Sequence, residues 1–350
     1  MYLEQIKSLS SHKTARWVPG ALISIIALAT VFRMVRWQDL KHAAATIPLW
    51  TISIAAALTL AALAVRAVAW RVLLAWKVGF RHSFFLINLG YFLNNILPLR
   101  AGEIGRAIFM GRASGLGTVN VLSSLLVERL FDMAMAAALL LATLPLVLNI
   151  AWARTAATLT AVAVVLILVA LFLIGRNQLS VRRWVSRSQS LLVQKRIIPI
   201  LDPLLDGLNA IMRPGRFLLS ASLIAICWCL WVCICYVMVL NVSPQFPFYG
   251  AIFATAVLAF GISIPAAPGG LGIYEASLVG ALAVFGISPS VSLVIALMMR
   301  LIQFAVSGII GFYELLRSEC SISGILEQVR SAVQSGNSRR FDAQVTTESK

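Results

Sequence analysis

The sequence predicts an all-α fold, a polytopic transmembrane helix bundle with re-entrant or broken helices and an internal, inverted repeat. Hydrophobic residues make up 60% of the 350 positions and charged residues only 12%, whereas about a quarter of a soluble chain is charged. The mean hydropathy is +0.90. Apolar runs separated by basic segments fill nearly the whole length, so no soluble domain large enough to fold alone is expected.

Nine apolar runs follow one another along the chain. They cover residues 18–31, 47–65, 84–99, 133–150, 155–174, 217–240, 249–267, 271–287 and 291–316. Several have the roughly 20 residues that a membrane crossing needs, and the first has no cleavage site after it, which favours an uncleaved crossing. The run 84–99 contains Asn88, Asn94 and Asn95, and the stretch 265–272 contains two prolines and three glycines. These two places predict re-entrant or broken helices.

The basic residues lie between the apolar runs. A net charge of +16 is typical of nucleic-acid binding, but 29 basic residues spread over loops are better explained by the positive-inside rule and anionic lipids. We therefore expect no nucleic-acid partner. The segment 176–216 holds eight Lys or Arg against Asp202 and Asp206, which predicts a cytoplasmic loop that is partly amphipathic. Both termini fall in the cytoplasm if run 84–99 enters and leaves on one side.

These patterns give one predicted transmembrane domain and a tail. The domain covers residues 1–318, with pseudo-repeat halves of about 1–150 and 151–318 and the cytoplasmic loop 176–216 in the second half. Residues 319–350 form a cytoplasmic tail, which is polar, rich in Ser and Thr towards its end, and expected to be disordered.

Residues typical of catalysis and metal binding are scattered. Four of the five cysteines lie in run 217–240, where no His, Asp or Glu accompanies them. They are Cys227, Cys229, Cys233 and Cys235. Buried cysteine behaves as a small apolar residue, so no metal site is expected. The three histidines have no nucleophile or acid at a recognisable spacing, and HExxH, GxSxG and CxxC patterns are missing. We expect no cofactor and no enzymatic activity.

Two motifs place acids where a bilayer penalises them. Segments 94–106 and 265–275 each contain proline, then glycine, then glutamate. Their predicted helix-breaking residues are Pro98, Gly102, Pro268, Gly269, Gly270 and Gly272. An ionised side chain at bilayer depth needs a partner or a water-filled cavity. Interruptions at matching places in two halves indicate the substrate site of a transporter.

Arginines at matching distances are the predicted partners of the two glutamates. Arg129 follows Glu103 by 26 positions and Arg300 follows Glu275 by 25, which indicates a weak internal repeat. These four side chains are expected to face a cavity between the halves. The full set of candidate substrate-binding residues is Asn94, Asn95, Arg100, Glu103, Arg106, Glu128, Arg129, Asp132, Tyr274, Glu275 and Arg300.

Structural explanations compete with this hypothesis. The Glu–Arg pairs would equally well hold helices together, and Asp132 could neutralise Arg129 within one helical turn. Proline and glycine are also ordinary turn residues. Residues 268–272 could present N–H groups to a phosphate at a helix start, although no Walker lysine follows and Glu275 would repel the anion. A lipid phosphate steadied by Arg129 or Arg300 stays an alternative.

Taken together, the motifs resemble a known membrane family. They are Asn-Ile-Leu-Pro at 95–98, Gly102 with Glu103, Glu128 and Arg129 with Asp132, the segment 268–272 with Glu275, and Arg300. Over about residues 15–318 the chain resembles the flippase-like family that includes the transmembrane region of lysylphosphatidylglycerol synthases and hopanoid-associated members. The resemblance implies a bacterial or archaeal plasma (cell inner) membrane and the moving or presenting of a lipid, for example aminoacylated phosphatidylglycerol.

The leading hypothesis is a lipid translocase-like protein, whose polar cavity between pseudo-repeats accepts a headgroup while acyl chains stay in the bilayer. Its expected partners are membrane lipids with an anionic or modified headgroup, and further copies of the chain or lipid-synthesis enzymes are alternatives. Only 34 residues follow Leu316, too few for an aminoacyl-transfer domain, so we expect no synthesis of the modified lipid. The competing hypotheses are an enzyme acting on a glycosyl or polyprenyl lipid with Glu103 or Glu275 as base, and a scaffold without transport.

Overall fold

The structure is a computed structural model that describes residues 47–96, 101–148, 176–187, 214–263 and 268–317, with isolated positions elsewhere. Helices and their connecting turns make up these ranges, and no strand occurs in them. The helices are α1 (Leu49–Leu73), α2 (Phe80–Ile96), α3 (Ala101–Ser114), α4 (Thr118–Leu148), α5 (Gln178–Ser186), α6 (Pro214–Leu240), α7 (Phe248–Ser263), α8 (Ile273–Ala283) and α9 (Pro289–Arg317). The all-α prediction is confirmed.

Four helices are long and apolar enough to cross a membrane: α1, most of α4, α6 and α9. They hold 25 to 31 residues, which at 1.5 Å per residue exceeds the roughly 30 Å hydrocarbon core. Hydropathy alone misplaces two boundaries. Helix α1 runs beyond the apolar run 47–65 to Leu73, and α4 begins 15 residues before the run 133–150. Both extensions carry charged residues, and those that pair with each other are Arg66 of α1 and Glu128 and Asp132 of α4.

The helical structure is interrupted between α2 and α3 and again between α7 and α8, as the two motifs predicted; we call these two places the chain breaks. The second break contains a 3-10 turn, Pro268–Gly270. Gly269, Gly270 and Gly272 have φ of +66°, +65° and +85°, in the left-handed region that favours glycine. The helices on either side of the two interruptions, α2, α3, α7 and α8, hold 11 to 17 residues, fewer than the roughly 20 of a typical crossing. That run 84–99 enters and leaves the membrane on one side stays a prediction.

Gly102 was predicted to break a helix, but the structure places it inside one. It lies in the first turn of α3 and packs on α2, where an added Cβ atom would collide with the Gly90 carbonyl oxygen. The missing side chain therefore permits close packing of the two short helices. Gly261 has the matching role between α7 and α8, since its Cβ would collide with the Ser277 hydroxyl.

The helices follow the order long, short, short, long twice: α1 to α4, then α6 to α9. The long helices α1 and α6 pack on each other, with the Cys227 thiol 3.6 Å from the Ala62 carbonyl oxygen. Helix α2 packs on α9 of the other half, and α7 packs on α4. Gly311 allows this at the α2–α9 crossing, where a Cβ would lie 2.6 Å from the Asn88 carbonyl oxygen. This reciprocal packing fits an internal repeat, which stays a prediction.

Several predictions concern residues outside the described ranges. Pro98, Arg100, the crossings 18–31 and 155–174 and the tail 319–350 belong to this group, apart from isolated positions in the two crossings. Of the loop 176–216, α5 and the start of α6 are described, together with Leu205. Leu205 is fully buried in the core formed with α1 to α4, and its carbonyl oxygen accepts a 2.7 Å hydrogen bond from the Gln178 amide.

Candidate functional site: a charged cluster beside a central cavity

Arg66 lies at the centre of a buried charged cluster in the first half. Its Nε donates to Glu128 Oε1 at 3.0 Å and its Nη1 to Asp132 Oδ1 at 2.9 Å. Its Nη2 also contacts both acids. Trp228 of α6 donates from Nε1 to Asp132 Oδ1 at 3.3 Å. Every donor nitrogen of Arg66 therefore has a carboxylate partner, as a charge at this depth requires.

Arg106 completes the pairing of Glu128 from α3. Its Nη2 donates to Glu128 Oε2 at 3.0 Å, so both oxygens of that carboxylate are occupied. The guanidinium also stacks 4.3 Å from the centre of the Trp70 ring, and Trp70 Nε1 donates to Ser124 Oγ at 3.1 Å. These contacts join α1, α3 and α4 through a low-dielectric core, where paired charges interact strongly.

Arg129 pairs with Glu103, as the spacing predicted. Its Nη2 donates to Glu103 Oε1, and its Nη1 reaches Asp132 Oδ2 only at 3.5 Å. The predicted local neutralisation by Asp132 is therefore present as the longer of two contacts. The Arg129 side chain is 31% exposed and that of Glu103 22% exposed, against 7% for Arg66. The Arg129–Glu103 pair lies at the accessible edge of the cluster.

Glu275 and Arg300 form the matching pair in the second half. Arg300 Nη1 donates to Glu275 Oε1 at 2.6 Å, and its Nη2 donates to the Gly269 carbonyl oxygen at 2.6 Å. The guanidinium also stacks on the Tyr274 ring at 4.6 Å. Since the Glu275 and Arg300 side chains are 2% and 5% exposed, this pair is enclosed and fixes the glycine turn to α9.

The start of α8 is occupied by the chain's own carboxylate. Gly272 N donates to Glu275 Oε2 at 2.8 Å, so the carboxylate satisfies the backbone N–H at the N-cap of the helix. A helix N-terminus attracts an anion, and here Glu275 supplies it. With Arg300 holding the other oxygen, a lipid phosphate at residues 268–272 would have to displace this carboxylate. The alternative that Arg300 steadies a phosphate is therefore disfavoured.

A cavity of about 160 Å³ lies between the two halves. Seven helices contribute to its walls, namely α1, α2, α4, α6, α7, α8 and α9. Its polar and aromatic lining residues are Arg66, Tyr91, Arg129, Asp132, Trp228, Trp231, Thr255, Ser263, Tyr274 and Gln303. An engineered cavity of about 150 Å³ holds a benzene molecule, so this volume suits one small group and not a whole lipid.

Only some of the predicted substrate-binding residues line the cavity. Arg129, Asp132 and Tyr274 line it, but Glu103, Glu275 and Arg300 do not, which corrects the expectation that both glutamates and Arg300 face it. The reason is that each glutamate is turned towards its arginine. Residues Arg106 and Glu128 lie behind the wall, in the cluster.

The two asparagines lie at the end of α2, next to backbone atoms of other elements. Asn94 Oδ1 accepts a 2.9 Å hydrogen bond from Gly102 N and so ties the end of α2 to the start of α3. The backbone of Asn95 lies beside Gly269, where an added Cβ would be 3.6 Å from the Asn95 carbonyl oxygen. The two chain breaks therefore meet. Asn94 thus connects α2 with α3, and Asn95 lies against the glycine turn before α8. Neither asparagine lines the cavity.

Sequence reasoning missed Arg66, Trp228 and Gln303. Hydropathy falls around Arg66 and places it in a basic loop, yet it is inside α1 and 6% exposed. A charge count around α4 would indicate it, since Glu128 and Asp132 outnumber Arg129. Gln303 follows Arg300 by three positions, as Asp132 follows Arg129. Among the described residues, no group of three or more His, Cys, Asp or Glu could hold a metal ion.

Comparison with known proteins identifies the family. The profile of the family described as "Lysylphosphatidylglycerol synthase TM region" matches residues 17–311. A "UPF0104 membrane protein" of Methanothermobacter thermautotrophicus is 27% identical over 297 residues, which cover 81% of this chain and 86% of the relative. The profile match covers the charged cluster, both chain breaks and the cavity walls. The chain is therefore a multi-pass membrane protein that belongs to the lysylphosphatidylglycerol synthase TM region family.

Proposed function

We propose that the protein translocates or presents a membrane lipid, with the headgroup in the central cavity and the acyl chains in the bilayer. The observation that carries the proposal is the cavity itself, a space of about 160 Å³ whose mainly apolar wall carries several polar and charged side chains. Polar groups at bilayer depth are costly unless they have a use. A site between the halves of a bundle with interrupted helices is typical of transporters.

The composition of the walls supports a headgroup as the ligand. Arg129 offers a guanidinium, Gln303 an amide, and Tyr91 and Tyr274 hydroxyls with apolar rings. Thr255 is 8% exposed, and among the described residues its hydroxyl has no nitrogen or oxygen partner, only the weakly bonding Cys235 thiol beside it. Such a hydroxyl is better satisfied when a ligand or water bonds it. This combination suits a small polar group attached to an apolar body.

The proposed setting is the plasma (cell inner) membrane, with both termini in the cytoplasm. The clustering of basic residues in segment 176–216 supports this orientation through the positive-inside rule. Membrane lipids with an anionic or modified headgroup are the proposed partners. The family description supports a lipid, since it names lysylphosphatidylglycerol synthases.

A role without catalysis fits the two glutamates best. Both oxygens of Glu275 are bonded, one by Arg300 and one by Gly272 N, and Glu103 does not line the cavity in which a headgroup would lie. A general base needs a carboxylate that can approach the proton it takes. The geometry gives no support to either glutamate as the base of a lipid-modifying enzyme, so we propose that the protein is not an enzyme.

The test is translocation in vesicles by the purified full-length chain. Vesicles of phosphatidylcholine carry a fluorescent phosphatidylglycerol or phosphatidylcholine, and an impermeant reductant bleaches the label that reaches the outer leaflet. We expect the protein to expose inner-leaflet lipid, with no new lipid product on chromatography. Failure to expose any lipid of the panel, with the protein shown to be inserted, would overturn the proposal, and a new product would favour the enzyme.

A cavity-filling variant makes this test specific. Ala259 lines the cavity, so Ala259→Phe should fill much of its volume and abolish translocation. Ala305 lies on the exposed face of α9, and Ala305→Phe is the matched control that should keep translocation. Both variants should elute as monodisperse protein from a sizing column. Equal translocation by the two variants would show that the cavity is not the route.

A further inference from the structure

We infer that the group bound in the cavity is a phosphate-type anion, which replaces Glu103 as the partner of Arg129. Glu103 therefore competes with the ligand for the Arg129 guanidinium. The inference rests on the proposed function and names the chemical class that the site selects. It is carried by the different accessibility of the charged groups around the cavity and by the way in which each is paired.

The first step is that the accessible charge in the wall is positive. Three charged residues line the cavity, Arg66, Arg129 and Asp132. The side chains of Arg66 and Asp132 are each 7% exposed, whereas that of Arg129 is 31% exposed. Asp132 is held from both sides, by Arg66 and by Trp228. A ligand entering the cavity therefore meets a guanidinium, which binds phosphate well because its donors match two oxygens.

The second step is that Arg129 can change partners more easily than the other arginines. Among the described residues, Glu103 is the acid that holds it at short range, and its contact with Asp132 is 3.5 Å long. Glu103 lies on α3 and is not part of the cavity wall. Releasing Arg129 from Glu103 breaks one short carboxylate contact. Releasing Arg66, in contrast, would break several, with both Glu128 and Asp132.

The third step is charge balance. Among the residues that the structure describes, three arginines, Arg66, Arg106 and Arg129, contact three acids, Glu103, Glu128 and Asp132, so that their charges balance. If an anion bound with Glu103 still in place, the cluster would carry a net negative charge in a low-dielectric site. If Glu103 turns away towards the exposed edge, the anion replaces its charge and neutrality is kept. Exchange of one anion for another is the arrangement with the lowest electrostatic cost.

The Glu275–Arg300 pair of the second half, in contrast, gives a cavity ligand no arginine to bind. Arg300 has Glu275 and the Gly269 carbonyl oxygen as partners, and neither Arg300 nor Glu275 lines the cavity. Both side chains are nearly fully buried. Loss of Glu275 would free no guanidinium in the cavity wall. The variant Glu275→Gln is therefore a matched control for Glu103→Gln.

The experiment measures binding directly by titration calorimetry of the full-length chain in an uncharged detergent. The probes are dioctanoyl phosphatidylglycerol, glycerol phosphate and dioctanoylglycerol, which has the same acyl chains and no phosphate. Glu103→Gln should lower the Kd for the phosphatidylglycerol by roughly two- to tenfold, since it removes one competing charge of a partly exposed pair. It should leave the Kd for dioctanoylglycerol unchanged. Arg129→Gln should raise the phosphatidylglycerol Kd, and Glu275→Gln should not lower it.

The outcomes separate the two proposals. If Glu103→Gln has the wild-type Kd for phosphatidylglycerol, or lowers the Kd for the phosphate-free dioctanoylglycerol by the same factor, the inference is wrong even where translocation persists. If the wild-type chain neither binds nor translocates any lipid, the proposed function fails and the inference with it. Tightening for glycerol phosphate as well as for the lipid supports the inference and identifies a free phosphate ester as a second source of the anion.

Discussion

Replacing Arg66 by glutamine should destabilise the bundle more than any loss of an exposed charge. The substitution takes the charge away from between Glu128 and Asp132, both at most 5% exposed. Glu128 would keep only Arg106, and Asp132 would keep Arg129 at 3.5 Å and the Trp228 N–H. Breaking a buried pair by removing one partner costs about 3–5 kcal/mol. We expect a loss of this size in the free energy of unfolding.

The assay is denaturation of the purified chain in mixed detergent micelles, followed by circular dichroism. Arg112→Gln is the matched control, because Arg112 is exposed near the end of α3 and should change stability by about 0.5 kcal/mol at most. The double variant Arg66→Gln, Asp132→Asn removes one charge of each sign and should recover about 1–2 kcal/mol of the loss. A single variant as stable as the control, or a double variant no more stable than the single one, would refute the reasoning.

Three further predictions follow from the packing and the second pair. Gly102→Ala should cost about 1–3 kcal/mol of unfolding free energy, because the new Cβ collides with the α2 backbone; Gly280→Ala, where space is open, should be neutral or stabilising, and similar melting curves for the two would contradict this. Glu275→Gln and Arg300→Gln should be coupled by at least about 1 kcal/mol in a double-mutant cycle, and additive losses would show that the pair is not formed. Trp228→Phe should lower stability by about 1 kcal/mol through loss of the bond to the acid of α4, measured by the same denaturation, and unchanged stability would count against that bond.

The sequence predicted the two Glu–Arg pairs because each depends on local geometry. Glu103 and Arg129, like Glu275 and Arg300, lie on consecutive helices joined by a short turn, so a spacing of about 25 residues suffices to bring them together. The second chain break was predictable for a similar reason, since left-handed turns favour glycine. Both pairs are present in the structure.

Arg66 and the cavity depend on contacts that no local pattern records. The partners of Arg66 lie 62 and 66 positions further along the chain, so a hydropathy window ends its helix early. Trp228 lies on α6, which is long and apolar almost all round, and such a helix carries little periodicity that would indicate which face turns inward. Gln303 lies on α9, which is amphipathic, but its place in the cavity wall depends on helices distant in the sequence. Gly102 is ambiguous in the sequence because glycine signals both chain breaks and close packing, and only the neighbouring helix distinguishes them.

The reciprocal packing of the halves has a consequence for synthesis of the protein. All the acids and arginines of the first cluster lie within residues 66–132, so a nascent chain can neutralise them before its second half is made. The outer side of α2, in contrast, waits for α9, which begins almost 200 residues later. Until then the surface of α2 that later packs on Gly311 is open to lipid or to an assembly factor. The central cavity thus closes as one of the last events of biogenesis.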